Sequence, residues 1–163
     1  YINQGGLISE GLDVQTDFNV GNFNVNILAS ILENYSESPF PGAAFIDYTG
    51  TEFNSSFDYR LFSTARYTND SLSIGLRWQH LPELDVAPGS PATSFGIDAH
   101  DQLDLFGSWR FTDRISIRGG IDNLTDADPE IVGATTVDRN LGTTNSNYDQ
   151  FGRRLFPGVS VPL

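Results

Sequence analysis

The sequence is 163 residues long, carries a net charge of −12 and contains neither cysteine nor methionine. An acidic chain lacks the basic face that nucleic-acid binding requires, so no nucleic-acid partner is expected. Without cysteine, disulfides and thiolate metal sites are excluded. No apolar run approaches the ~20 residues of a membrane-spanning helix. Because the chain begins at Tyr1 without a signal-peptide pattern, it is predicted to be an internal to C-terminal piece of a longer protein.

Alternation of apolar and polar residues with a period of two predicts about seven β-strands and no helix. The predicted strands cover residues 12–18, 22–31, 57–67, 72–79, 103–111, 115–122 and 148–163. The second strand shows the pattern most clearly, because Val25 and Ile27 alternate with Asn24 and Asn26. The sequence therefore predicts an all-β fold.

The connections between these strands alternate in length along the chain. Short turns lie at residues 19–21, 69–70 and 112–113, and long polar loops lie at residues 33–54, 82–99 and 126–147. Short turns link antiparallel neighbours. A meander with its short turns at one end and its long loops at the other is typical of outer-membrane barrels. A Greek-key sandwich would scatter its long connections.

Aromatic residues lie beside the short turns, and charged residues lie on the opposite strand faces. Phe18, Phe23, Tyr67 and Phe111, with Trp109 one step further in, fit the aromatic girdle of a membrane interface. The alternative is a soluble core with aromatic residues near its edge. The opposite faces carry Asp58, Arg60, Arg66, Arg77, Arg110 and Arg118. A wide barrel hydrates such residues in its lumen, whereas a sandwich exposes them to solvent.

Two short motifs lie in the C-terminal part of the chain. The first is Asn123-Leu124-Thr125-Asp126, and the second is Tyr148-Asp149-Gln150-Phe151-Gly152-Arg153. Their order and spacing resemble the closing signature of TonB-dependent outer-membrane receptors, in which N-L-x-D is followed by a loop and by Y-D-x-x-G-R. Asn and Asp side chains bond nearby backbone and end strands. These signature residues are therefore expected to be architectural.

The resemblance covers most of the chain but is incomplete. Residues 5–15 and the Asp104-Leu105 step also look like strands of this family. Thr125 replaces the aromatic residue that is usual in the N-L-x-D motif. The chain ends on Leu163, where the family usually ends on an aromatic residue that the barrel-assembly machinery reads.

The resemblance implies an antiparallel up-and-down meander that forms part of a large, 22-stranded transmembrane β-barrel. Residues 1–163 would be the C-terminal segment of that barrel, without the plug domain. Seven strands cannot close alone as a bacterial barrel, which uses an even number. The implied partners are outer-membrane lipid, the remaining strands and plug of the same receptor, a small nutrient ligand, and the TonB complex through the N-terminal part. The whole protein would import siderophore-bound iron, an oligosaccharide or a similar scarce nutrient into a Gram-negative cell, and no cofactor is implied.

Aromatic residues in the long loops are the candidate ligand contacts, because rings stack on sugars and on aromatic chelators. The candidates are Tyr35, Phe40, Phe45, Tyr48, His80 and Phe95. The alternative is that these rings pack the loops against each other.

Catalytic and metal motifs are not indicated, and the chain is not expected to be an enzyme. Ser94, Asp98 and His100 lack the spacing of a nucleophile motif. Alternation separates Asp101 from His100, so no metal site is predicted at that junction. Two other functional classes stay open: a soluble or surface-adhesive β-domain, and a passive porin-like pore.

Overall fold

The computed structural model describes residues 5–92, 94–130, 147–149 and 151–161. These residues form one antiparallel sheet of eight strands, and the predicted all-β fold is confirmed. The strands are β1 Leu7–Val20, β2 Phe23–Glu37, β3 Ile46–Asp47, β4 Tyr59–Thr68, β5 Leu72–Leu81, β6 His100–Thr112, β7 Ile115–Asp122 and β8 Arg154–Ser160. A 3-10 turn lies at Phe53–Ser55.

The sheet is an up-and-down meander. The strand order is β1-β2-β4-β5-β6-β7-β8, and the two-residue β3 pairs only with the end of β2. Each long strand therefore lies beside its neighbour in the sequence, as the alternating connections predict. Within the described residues, no helix is long and apolar enough to cross a membrane.

Local polar contacts form the short turns at one end of the sheet. Gly21 has a φ of 58°, a conformation that glycine adopts without steric cost. The Asn69 side chain accepts hydrogen bonds from the backbone N–H of Ser71 at 3.0 Å and of Leu72 at 2.8 Å. Thr112 Oγ1 accepts one from the N–H of Ile115 at 3.0 Å. These contacts explain why the strands reverse at the predicted positions.

The strand limits differ from the prediction at the long-loop end. β1 begins at Leu7 and β2 reaches Glu37, because the two strands stay paired beyond a register shift between Glu10 and Gly11. The predicted seventh strand began at Tyr148, which is wrong. The corresponding strand, β8, begins at Arg154, because the residues before it fold into a corner. Leu163, the predicted end of the strand, lies outside the described residues.

The register gives the sheet two distinct faces. One cross-strand row consists of Phe18, Val25, Ala65, Leu76, Leu105, Ile121 and Leu155. We call this side the apolar face. The adjacent row on the other side runs through Asp17, Asn26, Thr64, Arg77 and Asp104, and we call that side the polar face.

The buried hydrophobic cluster lies at the long-loop end rather than along the sheet. Its members are Phe57, Leu81, Leu84, Ile97 and Tyr148. One backbone bridge joins Leu84 to Ile97 within the loop between β5 and β6. A second bridge joins Thr51, in the loop before β4, to Asp85, so these two loops pack on each other above the strands. Along the strands, the apolar face is open: Phe18 is 56% exposed and Leu155 is 74% exposed.

Candidate functional site

Six arginines on the polar face of the described strands are the main cationic groups there: Arg60, Arg66, Arg77, Arg110, Arg118 and Arg154. Two of them lie against one ring. The guanidinium carbons of Arg66 and Arg77 lie 5.3 Å and 5.6 Å from the centre of the Phe106 ring. Cation–π contacts of this kind hold the guanidinium groups in place without neutralising their charge.

A glycine makes room for that ring. Gly75 lies directly opposite Phe106 on the neighbouring strand. A Cβ atom at Gly75 would lie 2.6 Å from Phe106 Cζ, so the ring occupies the space above the glycine. Phe156 covers Gly120 in the same way on β7 and β8, with 2.5 Å to the equivalent Cβ position. The strand alternation predicts the faces, but it gives no signal for these ring-over-glycine contacts.

Asp104 links the polar face to the first signature motif. Its Oδ2 lies 3.5 Å from Arg77 Nη1, and its Oδ1 accepts a hydrogen bond from the backbone N–H of Asn123 at 2.9 Å. Asn123 is 1% exposed and has a φ of 53°. Its side chain donates to the carbonyl oxygen of Ala127 at 2.8 Å and accepts from the N–H of Ala127 at 2.8 Å. Leu124 continues the corner, because its N–H donates to the Leu103 carbonyl oxygen.

The two signature motifs meet in space. Asp126 Oδ1 accepts a hydrogen bond from the backbone N–H of Arg153 at 2.9 Å, and Asp126 Oδ2 lies 3.3 Å from Arg153 Nη2. Gly152, with a φ of 65°, turns the chain there; a Cβ at this residue would lie 3.4 Å from Asp126 Oδ1. The corner formed by residues 123–127 is thus bound to the start of the last strand.

The second motif makes two further contacts. Asp149 accepts two hydrogen bonds from the Arg154 guanidinium, at 2.9 Å and 2.6 Å. The Tyr148 ring meets the His100 ring edge-on at a centroid distance of 5.0 Å. His100 is 3% exposed, and its Nδ1 lies 3.8 Å from Glu130 Oε1. All seven signature residues therefore lie in one connected corner at the base of the long loops, which we call the signature corner.

The loop aromatics occupy three kinds of position. Tyr35 lies on β2, where its hydroxyl donates to Glu37 Oε1 at 2.6 Å. Tyr48 stacks on Phe53 at 4.1 Å, and its N–H donates to the Tyr35 carbonyl oxygen. Phe40, Phe45 and Phe95 are half exposed. Tyr35 and Tyr48 thus come together, and the three phenylalanines leave ring surface open to a ligand.

His80 lies near the end of β5, where it flanks the second long loop as predicted, and it is on the apolar face. Its Nδ1 lies 2.9 Å from Asp101 Oδ1, which also accepts a hydrogen bond from Trp78 Nε1–H at 2.7 Å. Its Nε2 lies 3.2 Å from the Tyr59 hydroxyl. His80 and Trp78 lie on one face because they are two residues apart on β5, and their shared partner Asp101 is visible only in the register.

A hydrogen-bonded turn orders the loop that carries β3. Asp47 accepts hydrogen bonds from the Thr49 N–H at 2.9 Å and from Thr49 Oγ1 at 2.7 Å. These two bonds hold the pKa of the Asp47 carboxyl below its ordinary value of 3.8. Thr49 Oγ1 in turn accepts a hydrogen bond from the Tyr35 N–H at 2.8 Å, which ties this turn to the end of β2.

Among the described residues, no group of three or more His, Asp or Glu side chains is arranged to hold a metal ion. His100 and Asp104 share the polar face, while Asp101 lies on the apolar face, as the alternation indicates.

The fold is similar to that of solved bacterial receptors. A mutant of the ferric enterobactin receptor PfeA from Pseudomonas aeruginosa, in complex with enterobactin, matches with a TM-score of 0.68 at 14% identity, over 95% of this chain and 22% of that chain. The siderophore receptor PirA from Acinetobacter baumannii matches with a TM-score of 0.64 at 13% identity, over the same shares. No protein-family model and no curated protein matches the sequence.

At these identities the likeness shows the fold. The chain has the fold of a segment of a siderophore-receptor barrel, and it spans about a fifth of the length of those receptors, 22% in each comparison. The resemblance to TonB-dependent receptors that the signature motifs indicate is thus confirmed at the level of the fold.

Proposed function

We propose that this chain is the C-terminal part of the barrel of a TonB-dependent receptor in the outer membrane of a Gram-negative bacterium. The observation that carries the proposal is the apolar row from Phe18 to Leu155, which crosses all seven long strands and contains no buried residue, with a row of polar and charged residues beside it on the opposite face. Lipid covers such a face, and a hydrated lumen solvates the other.

The open apolar face argues against a soluble domain. In a β-sandwich, the apolar face of each sheet is buried against a second sheet about 10 Å away. Here the buried cluster of Phe57, Leu81 and Leu84 lies under the loops, and the strand residues Leu12, Ile74 and Val159 are 56%, 43% and 68% exposed. A soluble protein rarely leaves so large an apolar surface in water.

The dimensions of the apolar face suit a bilayer. On β4, Tyr59 and Tyr67 mark two aromatic levels that are about 27 Å apart along the strand. At a strand tilt of about 40°, that length rises about 20 Å, close to the ~25 Å apolar band of outer-membrane barrels. At the short-turn level, Phe23 lies 5.0 Å from Tyr67 and Trp109 lies 5.1 Å from Phe111. These rings would form the girdle at that interface.

The remaining partners follow from the open edges and the polar face. β1 and β8 end the sheet, and such edges need pairing strands. In a barrel of 22 strands, the rest of the receptor would supply those strands. The plug would face the polar side, and the TonB complex would act through the N-terminal part.

The ligand would be an anionic siderophore–iron complex rather than a neutral oligosaccharide. On the polar face, Arg66 forms no ion pair within the described residues, and Arg77 is partly neutralised by Asp104 at 3.5 Å. On the loops, Phe40, Phe45 and Phe95 expose their rings. Cations and aromatic faces together suit a negatively charged aromatic chelator. The two solved receptors with this fold are named for ferric enterobactin and for siderophores.

Cysteine scanning tests the membrane position sharply, because this chain has no native cysteine. Ala65→Cys and Thr64→Cys are adjacent on β4 and lie on opposite faces. In membranes containing the whole receptor, a nitroxide attached to the Ala65→Cys variant is expected to contact lipid-dissolved oxygen. The same label on the Thr64→Cys variant is expected to contact a water-soluble nickel complex. Val25→Cys and Asn26→Cys provide a matched pair on β2.

The outcome separates the classes of protein that the sequence leaves open. Equal access of the water-soluble reagent to both faces would contradict the barrel and favour a soluble β-domain. If the faces alternate as expected, uptake of the iron complex with and without a working TonB complex distinguishes an active receptor from a passive pore.

A further inference from the structure

A groove crosses the apolar face near the short-turn end of β6, β7 and β8. Its floor is the cross-strand row Gly107, Gly119 and Pro157, in which each residue lies directly opposite the next. Leu105 and Ile121 flank this row on one side, and Trp109 and Ile117 flank it on the other. The groove has a volume of ≈ 630 Å³ and is open along its length.

The groove exists because two glycines coincide in register between large side chains, with Leu105 and Ile121 on one side and Trp109 and Ile117 on the other. A Cβ at Gly107 would lie 2.9 Å from the carbonyl oxygen of Ser73, and one at Gly119 would lie 2.9 Å from that of Phe156. The strands leave little room for any side chain in this row. The floor is therefore backbone, and the walls are aliphatic and aromatic.

We propose that this groove binds one acyl chain of a phospholipid, with the headgroup phosphate beside Arg114. The inference rests on the proposed membrane position of the apolar face. Arg114 lies exposed in the turn between β6 and β7, and within the described residues no salt bridge occupies it. Trp109, at the same end of the groove, is the residue type that lies at headgroup level.

The orientation of the sheet favours a phospholipid. In outer-membrane barrels the short turns face the periplasm, and the leaflet on that side supplies the lipid at this depth. A cationic side chain at the interface attracts an anionic phosphate. The acyl chain would then lie along the floor row of Gly107, Gly119 and Pro157, between the wall of Trp109 and Ile117 and the wall of Leu105 and Ile121.

The width of the groove selects a hydrocarbon chain over a helix. Leu105 and Trp109 stand about 13 Å apart along β6, and their side chains narrow the space between them. A helix with its side chains is about 10 Å across and would not enter. Lipid tails are as apolar as the residues that line the groove. The preference of an acyl chain for the groove therefore comes from van der Waals contacts, which the lining residues would lose if the groove were unfilled.

The experiment uses the whole receptor in lipid nanodiscs that contain a small fraction of phosphatidylethanolamine with a photoactivatable diazirine on its acyl chain. Labelled residues are mapped by peptide mass spectrometry. Saturable labelling of residues 105–121 is expected, about three- to tenfold above that of residues 25–31 on the same face and competed by unlabelled phospholipid. A diazirine carried on the acyl chain should label residues of both walls, Ile117 and Ile121.

Two variants and one control make the result specific. Gly107→Leu fills the floor, and Ile121→Phe narrows the groove from its wall without changing a glycine; both are expected to lower labelling to the level of residues 25–31. Ala29→Leu adds bulk to the apolar face outside the groove and should leave the labelling unchanged. Ile121→Phe keeps the test valid if Gly107→Leu does not fold.

Each contrary outcome has a distinct meaning. Equal, unsaturable labelling of both patches would overturn the groove and leave the proposed function standing. Absence of labelling from the whole apolar face would contradict the proposed membrane position itself. Cross-linking of the groove to a protein would overturn phospholipid as the occupant.

Discussion

Asp104 on β6 accepts a hydrogen bond from the backbone N–H of Asn123, at 2.9 Å, and so fixes the point at which β7 ends. Asp104 is 8% exposed and Asn123 is 1% exposed. A buried N–H must be satisfied, because leaving it without a partner costs about 1–3 kcal/mol. Asp104 also faces Arg77 at 3.5 Å, so one carboxylate joins the polar face to the signature corner.

Replacing Asp104 should therefore destabilise the protein more than an ordinary change on the polar face. Asp104→Ala removes the acceptor for Asn123 and the partner of Arg77, and we expect a loss of about 2–4 kcal/mol. Asp104→Asn keeps an acceptor oxygen and should lose less. Urea unfolding of the protein in detergent measures both. A loss for Asp104→Ala no larger than that for Asp104→Asn would show that the hydrogen bond to Asn123 contributes little.

The pair of Asp126 and Arg153 should respond unequally to mutation. Asp126→Ala removes the acceptor of the Arg153 backbone N–H, whereas Arg153→Ala removes only an ion pair between half-exposed side chains. Exposed ion pairs contribute about 0–1 kcal/mol, and a backbone hydrogen bond to a charged acceptor contributes about 1.5–3 kcal/mol. We expect Asp126→Ala to lower the unfolding midpoint clearly and Arg153→Ala to change it little. Asp126→Asn, which tolerates the φ of 58°, is the control.

Gly75 should not tolerate a side chain, because Phe106 occupies the space above it. In Gly75→Val, the new atoms would displace the Phe106 ring from its contacts with Arg66 and Arg77. Overpacking of this kind costs about 1–3 kcal/mol. Thermal unfolding of Gly75→Val should therefore begin at a lower temperature. Phe106→Ala should relieve the clash, and the double variant Gly75→Val/Phe106→Ala should lose less than the sum of the single changes.

The Asp47 turn predicts a local response to acid. The pKa of Asp47 is lowered in the folded loop by its hydrogen bonds to Thr49, so its contribution to stability is present above the ordinary value of 3.8. That contribution is lost as the pH falls below 3.8 and through the lowered pKa. Hydrogen exchange of the Thr49 N–H should accelerate in that window. In Thr49→Val, which keeps one of the two bonds, the onset should move to higher pH; an unchanged onset would contradict the role of Thr49 Oγ1.

Strand alternation was sufficient to predict on which face of the sheet most strand residues lie. The apolar residues of β2, such as Val25 and Ile27, and the charged residues Arg66 and Arg77 lie on the faces that the alternation predicts. Period-two spacing is a local property, because successive side chains of an extended chain point to opposite sides. Tyr148 departs from this rule. The sequence predicts that Tyr148 begins a strand, yet its ring packs on His100 in the signature corner. This tertiary contact outweighs the weak local preference for a strand.

The sequence by itself determined the all-β class, the order of short turns and long loops, the two faces of the sheet and the motifs of the signature corner. These follow from spacing and from the backbone preferences of Gly, Asn and Asp, which act within a few residues. Only the tertiary structure decided that Asp104 binds Asn123, that Asp126 binds Arg153, and that Gly107, Gly119 and Pro157 align into a groove. Those relations depend on cross-strand register, and register is set by the pairing of the whole sheet.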